Sequence, residues 1–262
     1  MRSSMSTARQ SFLQRLAALC LTLSLGIPVF SRPKGNGIQR ESFTFEGRKS
    51  TCYLFVPDSL PTATAAPLIV LLHGAGEDGR SLADPWRDLA SREGILLIAP
   101  DSEARGPDFI VALVESVRAK VAMNPRRIYL FGHSAGGRLA LILSMVESEY
   151  FAAAAVHAGK LMGKEPAPGF GHELRDSELL DGAKRKIPIA MWNGTVDQLV
   201  PLAAALATRD MLEMHGFPVE WHEMLGRDHN YYVHSDEVNA AVWKFLRQHE
   251  LEHQPTFQRY KP

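Results

Sequence analysis

The chain has 262 residues, 45% of them hydrophobic and 22% charged, with 29 basic and 29 acidic side chains. A zero formal net charge gives no electrostatic reason to expect nucleic acid or an anionic membrane as a partner. The composition is ordinary for a globular α/β domain and too apolar for a disordered chain.

The N-terminus differs from the rest. Arg2, Arg9 and Arg15 precede an apolar stretch from Leu16 to Phe30. A positive region, a short apolar region and a small residue at Ser31 form the pattern of a secretory signal. The run is short for a membrane span, which needs about twenty apolar residues, although an uncleaved anchor is the competing reading. The expected organisation is a signal peptide over 1–31 and one domain over 32–262, in a secreted or periplasmic protein. One of the two cysteines, Cys20, lies in that signal, which leaves Cys52 without an intramolecular partner. Its strand-like setting predicts a buried structural thiol.

Beyond the leader, Phe43–Glu46 and Ser50–Val56 alternate and read as two antiparallel strands joined near Gly47. Leu68–Leu72 is a continuous apolar run, the pattern of a strand buried on both faces. A helix is expected from about Ser81 to Arg92, then a second buried strand over Ile95–Ala99. Helical spacing of Ile110, Leu113, Val114, Val117 and Val121 predicts a helix over Asp108–Val121. Arg127–Phe131 reads as a strand and Ala135–Met145 as a helix, followed by a strand at Ala152–His157. Residues 160–186 form a Gly-, Pro- and charge-rich excursion, with Lys184–Lys186 expected in a solvated loop. The chain closes with a strand at Ile187–Trp192, a helix at Leu202–Met214, a strand at Val219–Met224 and a helix at Asp236–Gln248. Strand–helix alternation with buried strands predicts a mainly parallel sheet covered by helices on both faces.

In such sheets, ligands gather at the carboxyl ends of the strands. Four of these ends carry polar punctuation: His73-Gly-Ala-Gly76, Gly132-His-Ser-Ala-Gly-Gly137, Asn193-Gly-Thr-Val-Asp197 and Gly226-Arg-Asp-His229. They supply a serine, a carboxylate and a histidine in the order Ser, Asp, His. Acyl transfer by serine needs a base to take the hydroxyl proton and a third group to orient that base. Ser134 is the candidate nucleophile on a sharp strand-to-helix turn, which Gly132 and Gly136 permit. Asp197 is favoured as the acid over Asp181 and Asp210, and His229 as the base, with His234 its main competitor. His73 reads as a loop-orienting residue and Asp228 as a turn residue. His157 stands close enough to the strand ends to line a cleft. No His-Glu-x-x-His pair, phosphate loop or Gly-x-Gly-x-x-Gly motif is present, so neither a metal nor a nucleotide cofactor is expected.

These motifs, together with Tyr53–Pro57 and Asn124–Tyr129, resemble the α/β-hydrolases. Within that superfamily, the chain is similar to the feruloyl esterase and polyhydroxybutyrate depolymerase-like esterases. The resemblance implies the α/β-hydrolase fold and a serine esterase with Ser134 as nucleophile, Asp197 as acid and His229 as base. It also implies an oxyanion hole from the backbone N–H groups of Ala75 and Ala135, and a small-molecule or polymer-linked ester as substrate. Only Ser102–Pro107 separate Asp101 from the next helix, shorter than the aromatic-bearing loop of that group, which weighs against aromatic-acyl specificity. Leu161, Met162, Phe170, Tyr231 and Tyr232 are candidates either for pocket walls or for core. A prolyl-oligopeptidase-like peptidase and a non-catalytic binding protein are the alternatives.

Overall fold

The computed structural model describes residues 37–58, 60, 65–101, 106–161 and 176–255. The expected signal over 1–31, Met162 and Phe170 lie outside the described residues. Strands β1 (Gln39–Phe45) and β2 (Arg48–Phe55) form the antiparallel hairpin expected around Gly47, with Phe45 opposite Arg48. They are followed by β3 (Ala66–Leu72), α1 (Gly79–Ala83), α2 (Arg87–Glu93), β4 (Leu96–Pro100) and α3 (Gly106–Arg118). Next come β5 (Met123–His133), α4 (Ala135–Val146), β6 (Ala153–His157), α5 (Asp176–Gly182), β7 (Ile189–Gly194), α6 (Leu202–Met214), β8 (Val219–Met224) and α7 (Ser235–Leu246).

Among the described residues the strands form one sheet in the order β1-β2-β4-β3-β5-β6-β7-β8. The hairpin and the β2–β4 pair are antiparallel and every later pair is parallel. Side chains alternate across each strand, and this parity divides the core in two. Leu68, Val70 and Leu72 join Leu130, Val156 and Met191 beneath α3, α4 and α5. Ile69 and Leu71 join Tyr129, Phe131 and Trp192 beneath α1, α2 and α7.

Three expectations need correction. The single helix expected over Ser81–Arg92 is two short helices joined by a 3-10 turn, Asp84–Trp86. Pro85 lacks the N–H that a continuous helix would use, and Asp78 caps the first piece by accepting from the Ser81 N–H at 2.7 Å. Second, the 160–186 excursion contains α5. Third, the Lys184–Lys186 cluster is not merely a solvated loop. Arg185 is half-buried and donates from Nε to the Ser148 carbonyl at 2.9 Å and from Nη2 to the Phe151 carbonyl. Burial lowers its pKa from the usual guanidinium value; the residue ties the end of α4 to the approach to β7. Cys52 is buried, and burial pushes its thiol up to about 12, so the thiolate needed for reactivity is scarce at neutral pH.

Candidate active site

β5 runs directly into α4, and the residue between them is Ser134 with φ 54° and ψ −115°. A non-glycine residue in this region stores roughly 1–3 kcal/mol of strain, which the surroundings must hold in place. The Ser134 N–H donates to the His157 carbonyl at 2.9 Å, and its own carbonyl accepts from the Arg138 N–H at 3.1 Å. The flanking glycines are required by close approach. A Cβ at Gly132 would fall 2.2 Å from the Gly136 carbonyl oxygen, and one at Gly136 would fall 2.0 Å from that of Leu72. The second contact also presses the end of β3, and the loop that follows it, against the serine turn.

The carboxylate and the histidine arrive on two loops that touch through their main chains. Asp197 follows β7, and its Oδ1 accepts the N–H groups of Leu199 (2.9 Å) and Val200 (2.8 Å). Asn193 pins the same loop by donating to the carbonyls of Gly194 and Val200. His229 follows β8. Val196 N–H donates to the Arg227 carbonyl at 3.1 Å, and Gly226 N–H to Thr195 Oγ1 at 2.9 Å. A Cβ on Gly194 would meet the Arg227 carbonyl at 2.1 Å, so only glycine allows the two loops to come this close.

The result is a linear arrangement. His229 Nδ1 is 2.8 Å from Asp197 Oδ2, and His229 Nε2 is 2.8 Å from Ser134 Oγ. A carboxylate can only accept, so Nδ1 carries the proton, leaving Nε2 to accept from the serine hydroxyl. The Asp197 side chain is fully enclosed and that of His229 is 18% exposed. The competing residues are engaged elsewhere. His234 Nε2 contacts Arg227 at 3.0 Å, Asp210 pairs with Arg209, and Asp181, on α5, faces His215 at 3.5 Å. Asp228 turns its loop by accepting from the Asn230 N–H, and His73 Nδ1 contacts the Gly74 carbonyl at 2.8 Å.

Ala75 lies in the tight turn closed by the Glu77 N–H to the Gly74 carbonyl at 3.2 Å, and Ala135 is the first residue of α4. The first N–H groups of a helix have no partner within it and carry the positive end of its dipole. Both alanines are exposed.

Beneath the site is a group that the sequence reading did not single out. His133 is buried; its Nδ1 is 3.1 Å from His157 Nδ1, and its ring lies 5.0 Å from that of His229 and 5.6 Å from that of Tyr231. Burial lowers the His133 pKa to about 4 and that of His157 well below the usual value, so both rings are neutral at pH 7. His157, whose place in the sequence left a cleft-lining position open, is buried behind the serine turn. Tyr231 is core, donating to Asn239 Oδ1 at 2.5 Å, and Leu161 is also buried. Tyr232 is only partly buried and bonds Glu77. Strand parity was the available signal for His133: it shares a face with Tyr129 and Phe131.

Among the described residues no group of three or more His, Cys, Asp or Glu side chains could hold a metal ion. No described helix is long and apolar enough to cross a membrane.

Residues 99–203 match the family model described as Esterase PHB depolymerase. The chain is 22% identical over 188 residues to a poly(3-hydroxybutyrate) depolymerase of Ralstonia pickettii, covering 58% of this chain and 37% of that protein. It is 31% identical over 127 residues to feruloyl esterase B of Neurospora crassa, covering 41% of this chain and 43% of that protein. The chain thus spans about two-fifths of the length of these relatives. Among solved structures, a fluorophosphonate-binding serine hydrolase F of Staphylococcus aureus, substrate bound, superposes with a TM-score of 0.68 at 17% identity, covering 80% of this chain and 98% of that one. An acylaminoacyl peptidase of Pyrococcus horikoshii superposes with a TM-score of 0.64 at 14% identity, covering 85% of this chain and 43% of that one. The fold is that of the α/β-hydrolases.

Proposed function

We propose that this α/β-hydrolase chain is a serine esterase that cleaves carboxylic esters through an acyl-enzyme, with Ser134, His229 and Asp197 as its triad. The observation that carries this reading is the relay of two 2.8 Å contacts from Ser134 Oγ through His229 to Asp197. Ser134 Oγ attacks the ester carbonyl carbon and its proton passes to His229 Nε2. The N–H groups of Ala75 and Ala135 receive the developing oxyanion; loss of one such donor typically costs about 2.7–4 kcal/mol. His229 then protonates the departing alkoxide, which leaves the acyl group on Ser134. A water gives its proton to His229 as it attacks the acyl carbon, and the acid product leaves as Ser134 recovers its proton. Asp197 fixes the imidazole tautomer and stabilises the imidazolium formed twice in the cycle.

The substrate class is read from the rim. Val196, Leu199, Leu225 and Val233 are 55–87% exposed and stand on the loops that carry Asp197 and His229. An apolar margin around a partly open histidine suits an ester displayed on an apolar molecule or polymer chain, in keeping with the depolymerase and esterase relatives. The leader pattern over 1–31 supports export, so the site acts outside the cytoplasm.

Fluorophosphonate labelling combined with hydrolysis of a short p-nitrophenyl ester tests the assignment. Ser134→Ala is expected to abolish the adduct and lower kcat by about 10⁴–10⁶ without unfolding the protein. Retention of near-parental turnover would sink the reading. An anilide hydrolysed as fast as the ester would instead favour a peptidase, and a folded chain that takes no label would favour a binding protein.

A further inference from the structure

The carboxylate of Glu77 is the junction of three segments of the site, and nothing in the esterase chemistry above uses it. Its Oε2 accepts the Gly74 N–H at 2.8 Å and the Tyr232 hydroxyl at 2.6 Å. Its Oε1 lies 3.8 Å from His133 Nε2, and its side chain is 25% exposed. Gly74 begins the turn that carries Ala75. Tyr232 follows His229 by three residues, and its N–H donates to Asn230 Oδ1 at 3.1 Å. His133 precedes the nucleophile. A Cβ on Gly74 would fall 3.1 Å from Glu77 Oε2 and 3.2 Å from the His133 ring, so the carboxylate is wedged between the 73–77 turn and the serine turn.

We propose that Glu77 is a positioning residue for the oxyanion hole, holding the Ala75 N–H at a fixed distance from Ser134 and tying that turn to the loop of the catalytic base. The proposal rests on the esterase reading of Ser134. Three features carry it. The 73–77 turn has one internal backbone bond, Glu77 N–H to the Gly74 carbonyl, and the side-chain bond back to Gly74 N–H makes the closure reciprocal. A single oxygen receives both donors, so a shift of the base loop is transmitted to the oxyanion turn through the Tyr232 hydroxyl. The hydroxyl is kept protonated, since burial and the Glu77 hydrogen bond raise its pKa. What Glu77 supplies is an acceptor at a set reach; its negative charge is secondary.

An oxyanion donor acts on the transition state more than on bound substrate, and a displacement of about 1 Å can cost 10²-fold. Steady-state kinetics of Glu77→Ala, Glu77→Gln and Glu77→Asp on a p-nitrophenyl ester, with thermal melts of each protein, test the assignment. Glu77→Ala is expected to lower kcat about 10- to 100-fold with KM held within about threefold. Glu77→Gln, which keeps the reach and the acceptor, recovers most of the loss. Glu77→Asp, which keeps the charge and loses one methylene of reach, does not. A Glu77→Ala kcat within threefold of the parent overturns the proposal, as does a KM that rises as far as kcat falls. If Glu77→Ala gives no cooperative melt, the Gln–Asp contrast decides, and Asp matching Gln overturns it. Ser134→Ala assayed alongside separates the two readings. An active Ser134→Ala removes the nucleophile assignment and this one with it, whereas an inert Ser134→Ala beside a fully active Glu77→Ala removes this one alone.

Discussion

The two faces of the sheet are built from different side chains. Under α3 and α4 the core is mainly aliphatic, with Leu68, Val70, Ile128, Leu130, Leu113, Val114 and Leu141 in contact. Under α1, α2 and α7 it is rich in rings, and these form a column: Trp86 to Phe131 at 5.2 Å, Phe131 to Tyr231 at 5.5 Å, Tyr231 to His133 at 5.6 Å and His133 to His229 at 5.0 Å. The aliphatic face supports the helix that follows Ser134. The aromatic face supports His229 itself, and it can do so because tyrosine and histidine combine apolar rings with a polar atom. Stability and chemistry are therefore expected to be separable on the first face and coupled on the second.

The largest effect that sharpens this contrast is on the aliphatic side. Leu113→Ala in α3, where the side chain is 1% exposed, is expected to lower unfolding free energy by about 2–5 kcal/mol with kcat unchanged. Urea melts paired with ester hydrolysis check it, and a tenfold fall in kcat in the folded variant would break the separation.

A comparable effect on the ring-rich side is set by pH. His133 titrates at about 4 in the folded protein because burial disfavours its charged form, against about 6.5 unfolded. A lowered histidine pKa means that the unfolded chain binds the proton more readily. Stability is therefore full above pH 6.5 and declines as pH falls from about 6.5 towards 4, by roughly 3 kcal/mol for this group. His157 adds in the same direction. Urea midpoints between pH 7.5 and 4.5 measure the slope, and an equal slope in His133→Gln would refute the assignment. The smallest effect expected is that of Tyr231→Phe, which deletes the hydroxyl bonded to Asn239. It should cost about 1–3 kcal/mol and, unlike Leu113→Ala, lower kcat severalfold. Unchanged kcat in that variant would argue against the coupling.

The serine turn, the buried strands and the order Ser, Asp, His were legible in the sequence because each is a local pattern: an apolar run, a glycine pair, a strand end. Pro85 was equally legible as a helix breaker, although the expected helix ran through it. What escaped was long-range. Glu77 and Tyr232 are 155 positions apart along the chain, and Arg185 reaches back across more than thirty to the end of α4. No periodicity encodes such pairings; they exist only after the sheet has brought its strand ends together. His133 lies between these cases, since its face follows from strand parity while its neighbours do not.

The close approach at Gly194 has a consequence for redesign. Because the main chains of the two loops touch there and are joined by the Val196 N–H to the Arg227 carbonyl and the Gly226 N–H to Thr195 Oγ1, a longer side chain between Asp197 and His229 could part the loops only by breaking these bonds. Asp197→Glu would otherwise have to be absorbed by rotation of the His229 imidazole, and with it by the 2.8 Å contact to Ser134 Oγ. The spacing of Asp197 and His229 is thus set from outside the pair, by the absence of a methyl group at Gly194.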